Sequence, residues 1–185
     1  NISDGDLRID LSEAISINLN FLSDLKFKGE FYKKYNKLFP NLKFFENVNY
    51  IDVNLNNNLS VYFDKTYKIK KFDFNSMEKA KKIKLNFNQK LQNKYFNEEI
   101  KKIELNDTSV KINLSPEKKI TSFSGNYALN NEKKLNYRFN NEIVKDLLKL
   151  DFTAQVDQKI ELDILNYVKP RGSIANITVN LDKTK

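Results

Sequence analysis

The chain has 185 residues and a formal net charge of +8, carried by 29 Lys and only three Arg (Arg8, Arg138, Arg171), with neither cysteine nor histidine. That length suits one domain with a real core. The missing side chains exclude thiol nucleophiles, Cys/His zinc sites and imidazole general bases. Basicity that is Lys-heavy, beside 27 Asn, lacks the guanidinium forks that read nucleic acid, so no nucleic-acid partner is expected.

In chain order, apolar residues fall on every second position nearly throughout. The runs are Leu7/Ile9/Leu11, Ile15/Ile17/Leu19, Leu25/Phe27, Ile51/Val53/Leu55 and Val61/Phe63. Next comes YKIKKFDFN, where the parity changes between Lys70 and Lys71, as it does at a bulge. Ile83/Leu85/Phe87, Ile103/Leu105, Val110/Ile112/Leu114, Phe123 to Leu129 and Leu135/Tyr137/Phe139 follow. The longest run is Leu148 to Val156, and Ile160/Leu162/Ile164 and Ile177/Val179/Leu181 close the series around NYVKPRG. About a dozen such segments joined by short polar links predict an antiparallel meander. Three segments break the rule and predict one to three short helices or loops: Glu30–Phe39, Gln89–Ile100 and Asn141–Leu148.

Chemistry is sparse. Carboxylates such as Glu161, Asp163 and Asp182 alternate with apolar residues and form no acid/base couple. Four glycines are too few for a phosphate-cradling loop. The acidic residues around Gly5 lack calcium-loop spacing. Neither an enzyme nor a bound cofactor or metal is expected, and no apolar run is long enough for a membrane-spanning helix.

What remains is a continuous apolar face rich in Phe and Tyr. Packed against a second such face it makes a β-sandwich. Left open on a curved sheet it lines a groove. Turned outward it would face lipid in a membrane barrel, but short runs and the absence of Trp weigh against that form. The expected fold is mainly β, a curved open antiparallel sheet, with the sandwich as the alternative. The expected groove lining is Phe63, Ile69, Phe72, Phe74, Leu85, Phe87, Ile112, Phe123, Tyr127, Leu135, Tyr137, Phe139, Leu150, Phe152, Ile160, Leu162, Ile164, Ile177 and Val179.

The stretches SFSGNYALNNEKKLNYRFNN and LLKLDFTAQVDQKIELDILNYVKPRGSIANITVNLD resemble the AsmA-like proteins of the Gram-negative envelope, particularly YhdP-like and TamB-like members. The shared step is Leu165, Asn166, Tyr167, Lys169, Pro170, Gly172 and Ile174. The likeness runs from about residue 101 to 183 and is one of pattern before that. It implies a segment of a repeating β-groove that conducts phospholipid between membranes and serves outer-membrane biogenesis. It further implies phospholipid acyl chains and adjacent groove modules as partners, a periplasmic location, and an inner-membrane anchor in a missing N-terminal region. Residues 1–185 then form one module of a longer chain, as a start at Asn1 also suggests, with 1–88 and 101–185 as an alternative division around 89–100.

Overall fold

A computed structural model describes residues 1–11, 15–29, 47–93 and 96–184, with every side chain among them except those of 88–98 and Asp163. The expected helix at Glu30–Phe39 lies outside the described residues.

The alternating runs form eleven strands: β1 (Ile2–Asp10), β2 (Ser16–Lys28), β3 (Val48–Phe63), β4 (Ile69–Asn93), β5 (Phe96–Leu114), β6 (Lys118–Leu129), β7 (Leu135–Val144), β8 (Leu147–Val156), β9 (Ile160–Leu162), β10 (Tyr167–Lys169) and β11 (Ala175–Thr184). They build a single antiparallel sheet in the order β1-β2-β3-β4-β5-β6-β7-β8-β11. Strands β9 and β10 lie off this path as a small hairpin. Every pair of described elements in substantial contact is a hydrogen-bonded neighbour. All eleven strands belong to this one sheet, which is not closed into a barrel, so the architecture is the curved open sheet rather than a sandwich of two sheets.

Local chemistry sets the turns. Between β3 and β4, the Asp64 carboxylate accepts from the Thr66 backbone N–H at 2.7 Å and the Lys68 N–H at 3.1 Å. After β6, Asn130 and Asn131 both adopt positive φ (48° and 66°), and Glu132 N–H closes the turn on the Leu129 carbonyl at 2.8 Å. Asparagine tolerates that left-handed region better than most residues.

Two helix expectations are corrected. Segment 89–100 is extended: β4 runs on to Asn93 and β5 starts at Phe96, with Leu91 opposite Ile100 and Asn93 opposite Phe96. Segment 141–148 is a tight hairpin, Val144 opposite Leu147, with Lys145 at φ 52°. In both, ladder pairing with a neighbouring strand overrides a weak helical spacing.

The expected bulge is present. Tyr62 pairs with Lys71 and Phe63 with Ile69, so Lys70 is the extra residue. Further shifts fall between Asp52 and Val53, opposite Lys81, and between Asn106 and Ser109. A bulge bends its strand and steepens the local twist, so these positions give the long β4–β5 pair its curvature. Gly125 lies across from the β5 irregularity. A Cβ there would stand 2.8 Å from the Thr108 Cα and 3.0 Å from the carbonyl oxygens of Asn106 and Asp107, so only glycine lets β6 close on the bulged strand.

The sheet curls at one end. Strand β9 follows β8 in the chain, yet its Ile160 pairs with Phe96 at the start of β5. The circuit β5-β6-β7-β8-β9 thus turns back on itself at this end. Tyr127, Leu135, Ala154, Val156 and Ile160 are buried there. The apolar face is accordingly the inside of the curl.

Candidate functional site

Unbroken cross-strand rows show how the apolar face is assembled. One row runs Phe27–Ile51–Ile83–Leu105–Tyr127–Leu135 from β2 to β7. Another runs Val110–Phe123–Phe139–Phe152–Val179 from β5 to β11. The Phe123 and Phe139 rings stack with centroids 6.0 Å apart, and Tyr127 meets Tyr137 edge-on at 6.2 Å. Offset and edge contacts of this kind add to area burial. Buried Val48, Ile51, Val53, Ala80 and Val110 form one cluster, and Tyr127, Leu135 and Ala154 a second.

Exposure on this face grows toward both sheet edges. Leu7 on β1 is 57 % exposed and Val179 on β11 is 47 % exposed, with Ile9, Leu25 and Leu181 also open. The middle strands are sheltered and the flanks are bare.

Of the expected lining, Phe72 and Phe74 on β4, Ile112 on β5, Phe123 on β6, Tyr137 and Phe139 on β7 and Leu150 and Phe152 on β8 share the face by register, as do Tyr127, Leu135, Ile177 and Val179. Leu85, opposite Ile103, packs on the first cluster. Phe63 and Ile69 pair at the β3–β4 turn, where Ile69 is exposed. Phe87 is half-buried beyond the end of β3. Ile160 is buried and Leu162 half-buried on β9. Ile164 is a correction. The alternation stops after Leu162, a 3₁₀ turn covers Asp163–Leu165, and Ile164 projects from its tip at 96 % exposure.

The hairpin bearing that tip is pinned at its root. The ammonium of buried Lys169 donates to the Gln158 carbonyl at 2.8 Å and the Pro170 carbonyl at 3.3 Å. Gly172 N–H donates to the Asp157 carbonyl at 2.8 Å, and Arg171 bonds Glu132 at 2.6 Å. The Lys-Pro-Arg-Gly step is therefore a joint that turns the chain from the curled end into β11.

Polar side chains also occupy the apolar face, and alternation alone passes over them. Asn57, Ser76, Thr121 and Asn141 share a row with Phe21, Ile112, Leu150 and Leu181. Each sits at the apolar parity of its own strand, which is the signal that marks them in the sequence. Asn57 Nδ2 donates to the Phe21 carbonyl at 3.2 Å and to Ser23 Oγ at 3.0 Å. Thr108 Oγ1 and the Tyr137 hydroxyl lie 2.9 Å apart. Burial pushes the Tyr137 phenol up, against the opposing pull of its Thr108 bond. Burial, then Asp157, raises Tyr127 to about 12, and its hydroxyl donates to the Gln155 carbonyl.

The opposite face is wet and orderly. Asn20, Asn58, Asn75 and Asn113 stand in one row across β2–β5. Asn58 donates to Asn20, and Asn113 to Asn75. Beside them Lys26 meets Asp52 at 3.0 Å, Lys82 meets Glu104 at 2.9 Å and Lys118 meets Glu142 at 2.7 Å. The Lys26 bond holds Asp52 below the usual carboxylate range, and Lys118 does the same for Glu142. At Glu104 burial works upward, but Lys82 and Lys84 outweigh it and the carboxyl is lowered. Among the described residues no group of three acidic side chains gathers to hold a metal ion.

Comparisons with protein-family models, with curated proteins and with solved structures found no match.

Proposed function

We propose that this chain is a non-catalytic lipid-binding segment, whose concave apolar face holds phospholipid acyl chains as part of an intermembrane conduit in the cell envelope. The observation that carries the reading is the single open sheet: a continuous Phe- and Tyr-rich face that is bare toward both edges. Exposed apolar area of that extent marks a binding surface. An acyl chain of ~16 carbons buried at ~0.8 kcal/mol per CH₂ offers on the order of 13 kcal/mol before entropic losses. A lipid can thus be held with few polar contacts.

The likeness to AsmA-like proteins supports the same reading. It adds a periplasmic setting, neighbouring groove modules at the sheet edges and an inner-membrane anchor elsewhere in the parent chain. The test is solvent extraction of the purified protein followed by mass spectrometry. Phospholipid near one equivalent is the expected result; its absence, together with no uptake from vesicles, rejects the proposal.

A further inference from the structure

The polar row on the apolar face brings side chains among the hydrophobic clusters that hydrocarbon packing does not explain. Among its members Ser76 is 1 % exposed and its hydroxyl has no partner, and the Asn141 Oδ1 is likewise buried without one. A buried polar atom left unpaired costs roughly 1–3 kcal/mol, and such groups in folded proteins call for an explanation. Thr121 stands directly opposite Asn141 and is half-buried. Two residues before it on β6, and so on the same face, is Lys119, which is exposed. Lys119 lies opposite Leu114 and Ile143. A cation, a hydroxyl and an amide thus meet within two rungs of the ladder, where opposed Cβ atoms are ~5 Å apart. The stacked Phe123–Phe139 pair begins on the next row.

Resting on the lipid-groove reading, we propose that Lys119, Thr121 and Asn141 form a head-group station. It seats the phosphate and the hydroxyl- or amine-bearing end of a glycerophospholipid while the acyl chains lie over the neighbouring phenylalanines. Lys119 and Thr121 supply the donors that a phosphate oxygen takes. The Asn141 carbonyl oxygen, once the amide turns outward from its buried position, supplies the acceptor that a head-group hydroxyl or ammonium needs. Glu78, opposite Val110 on β4, carries negative charge further along the face, which favours a station on the β6–β7 side.

The test uses two probes on the full chain: vesicles of dioleoylphosphatidylglycerol, and decylpyrene, a hydrocarbon with no polar group. The unaltered protein takes up both. In the Thr121→Val/Asn141→Leu double variant, phospholipid uptake falls by about tenfold while decylpyrene uptake is unchanged. Lys119→Met, a change at an exposed position that leaves folding intact, lowers phospholipid uptake several-fold and flattens its salt dependence. Equal loss of both probes, or loss of neither, overturns the station and leaves the groove standing. Failure of the unaltered chain to take up either probe overturns the groove itself. Should the double variant not fold, Lys119→Met decides the matter by the same ratio.

Discussion

At the scale of single residues, the sheet depends on a few positions where identity is dictated by backbone geometry or by burial. Gly125 is one. The methyl group of Gly125→Ala would press on the β5 backbone rather than on a flexible side chain. Overpacking of that kind costs about 1–3 kcal/mol, to be read as a lowered midpoint of urea unfolding with an unchanged slope. Tyr127 is another. Its phenol is raised from 10.0 to about 12, so folding favours the protonated form. The stability this confers is complete below pH 10 and drains away as pH climbs toward about 12. Ultraviolet titration should show a late-ionising fraction to which Tyr127 and Tyr137 both contribute, and Tyr127→Phe should reduce it. The carboxylates of Asp52, Glu104 and Glu142 are depressed, so their contribution is present above the ordinary carboxylate range and is lost on acidification. Exposed pairs of this type contribute little, and an acid transition dominated by them would contradict the assignment.

At the scale of elements, the sheet was largely written in the sequence, because a strand's side-chain period is two and most of the long strands show it between their bulges. The Lys70 bulge was visible as a parity change for the same reason. Short amphipathic segments were not so legible. In 141–148 the spacing of apolar residues suits a helical turn as well as a hairpin, and only the partner strand decides. Ile164 continues the alternation of Ile160 and Leu162 in sequence, yet a strand of three residues ends where its partner does. The polar row of the candidate station was hidden differently. Its members come from β3, β4, β6 and β7, and only register brings them together. The β9–β10 hairpin carries a prediction of its own. Ile160 is buried and, among the described residues, pairs β9 with β5 at Phe96. Ile160→Ala should destabilise by about 2–4 kcal/mol and raise amide exchange in β9, β10 and the start of β5. Exchange in β2 and β3, on the far side of the sheet, should stay as it was; uniform acceleration would mean the curl is not a separate unit.

At the scale of the whole molecule, a single sheet whose principal contacts among the described residues join adjacent strands behaves as a one-dimensional array, as solenoids do. Its stability is a sum of nearest-neighbour terms, so protection should be graded. Amide exchange is expected to be fastest in β1 and β11, whose outer edges and apolar side chains are open, and slowest in β3–β6. A flat protection profile would argue for a cooperative layered core instead. If the groove retains its ligand by burial of hydrocarbon rather than by charge, as proposed, release of decylpyrene should be nearly indifferent to ionic strength despite the net charge of +8. Phospholipid, with its anionic head, should respond.

The joint after β8 has a further consequence, for the order of assembly. From β4 to β8 each strand pairs with the one just before it across a short link, so this part of the meander can zip up as the chain lengthens, with little loop entropy at each step. Strand β11 is different. Its partner β8 ended at Val156, and the chain detours through 157–174 before Ala175 meets that same residue. Until then β8 has a free edge, and β9 reaches back to pair with Phe96. A nascent chain arrested before Ile160 would present a long, regular, unpaired strand. Such an edge invites pairing with another chain, so the passage from residue 157 to 184 is the interval of synthesis in which the protein most needs a holding partner.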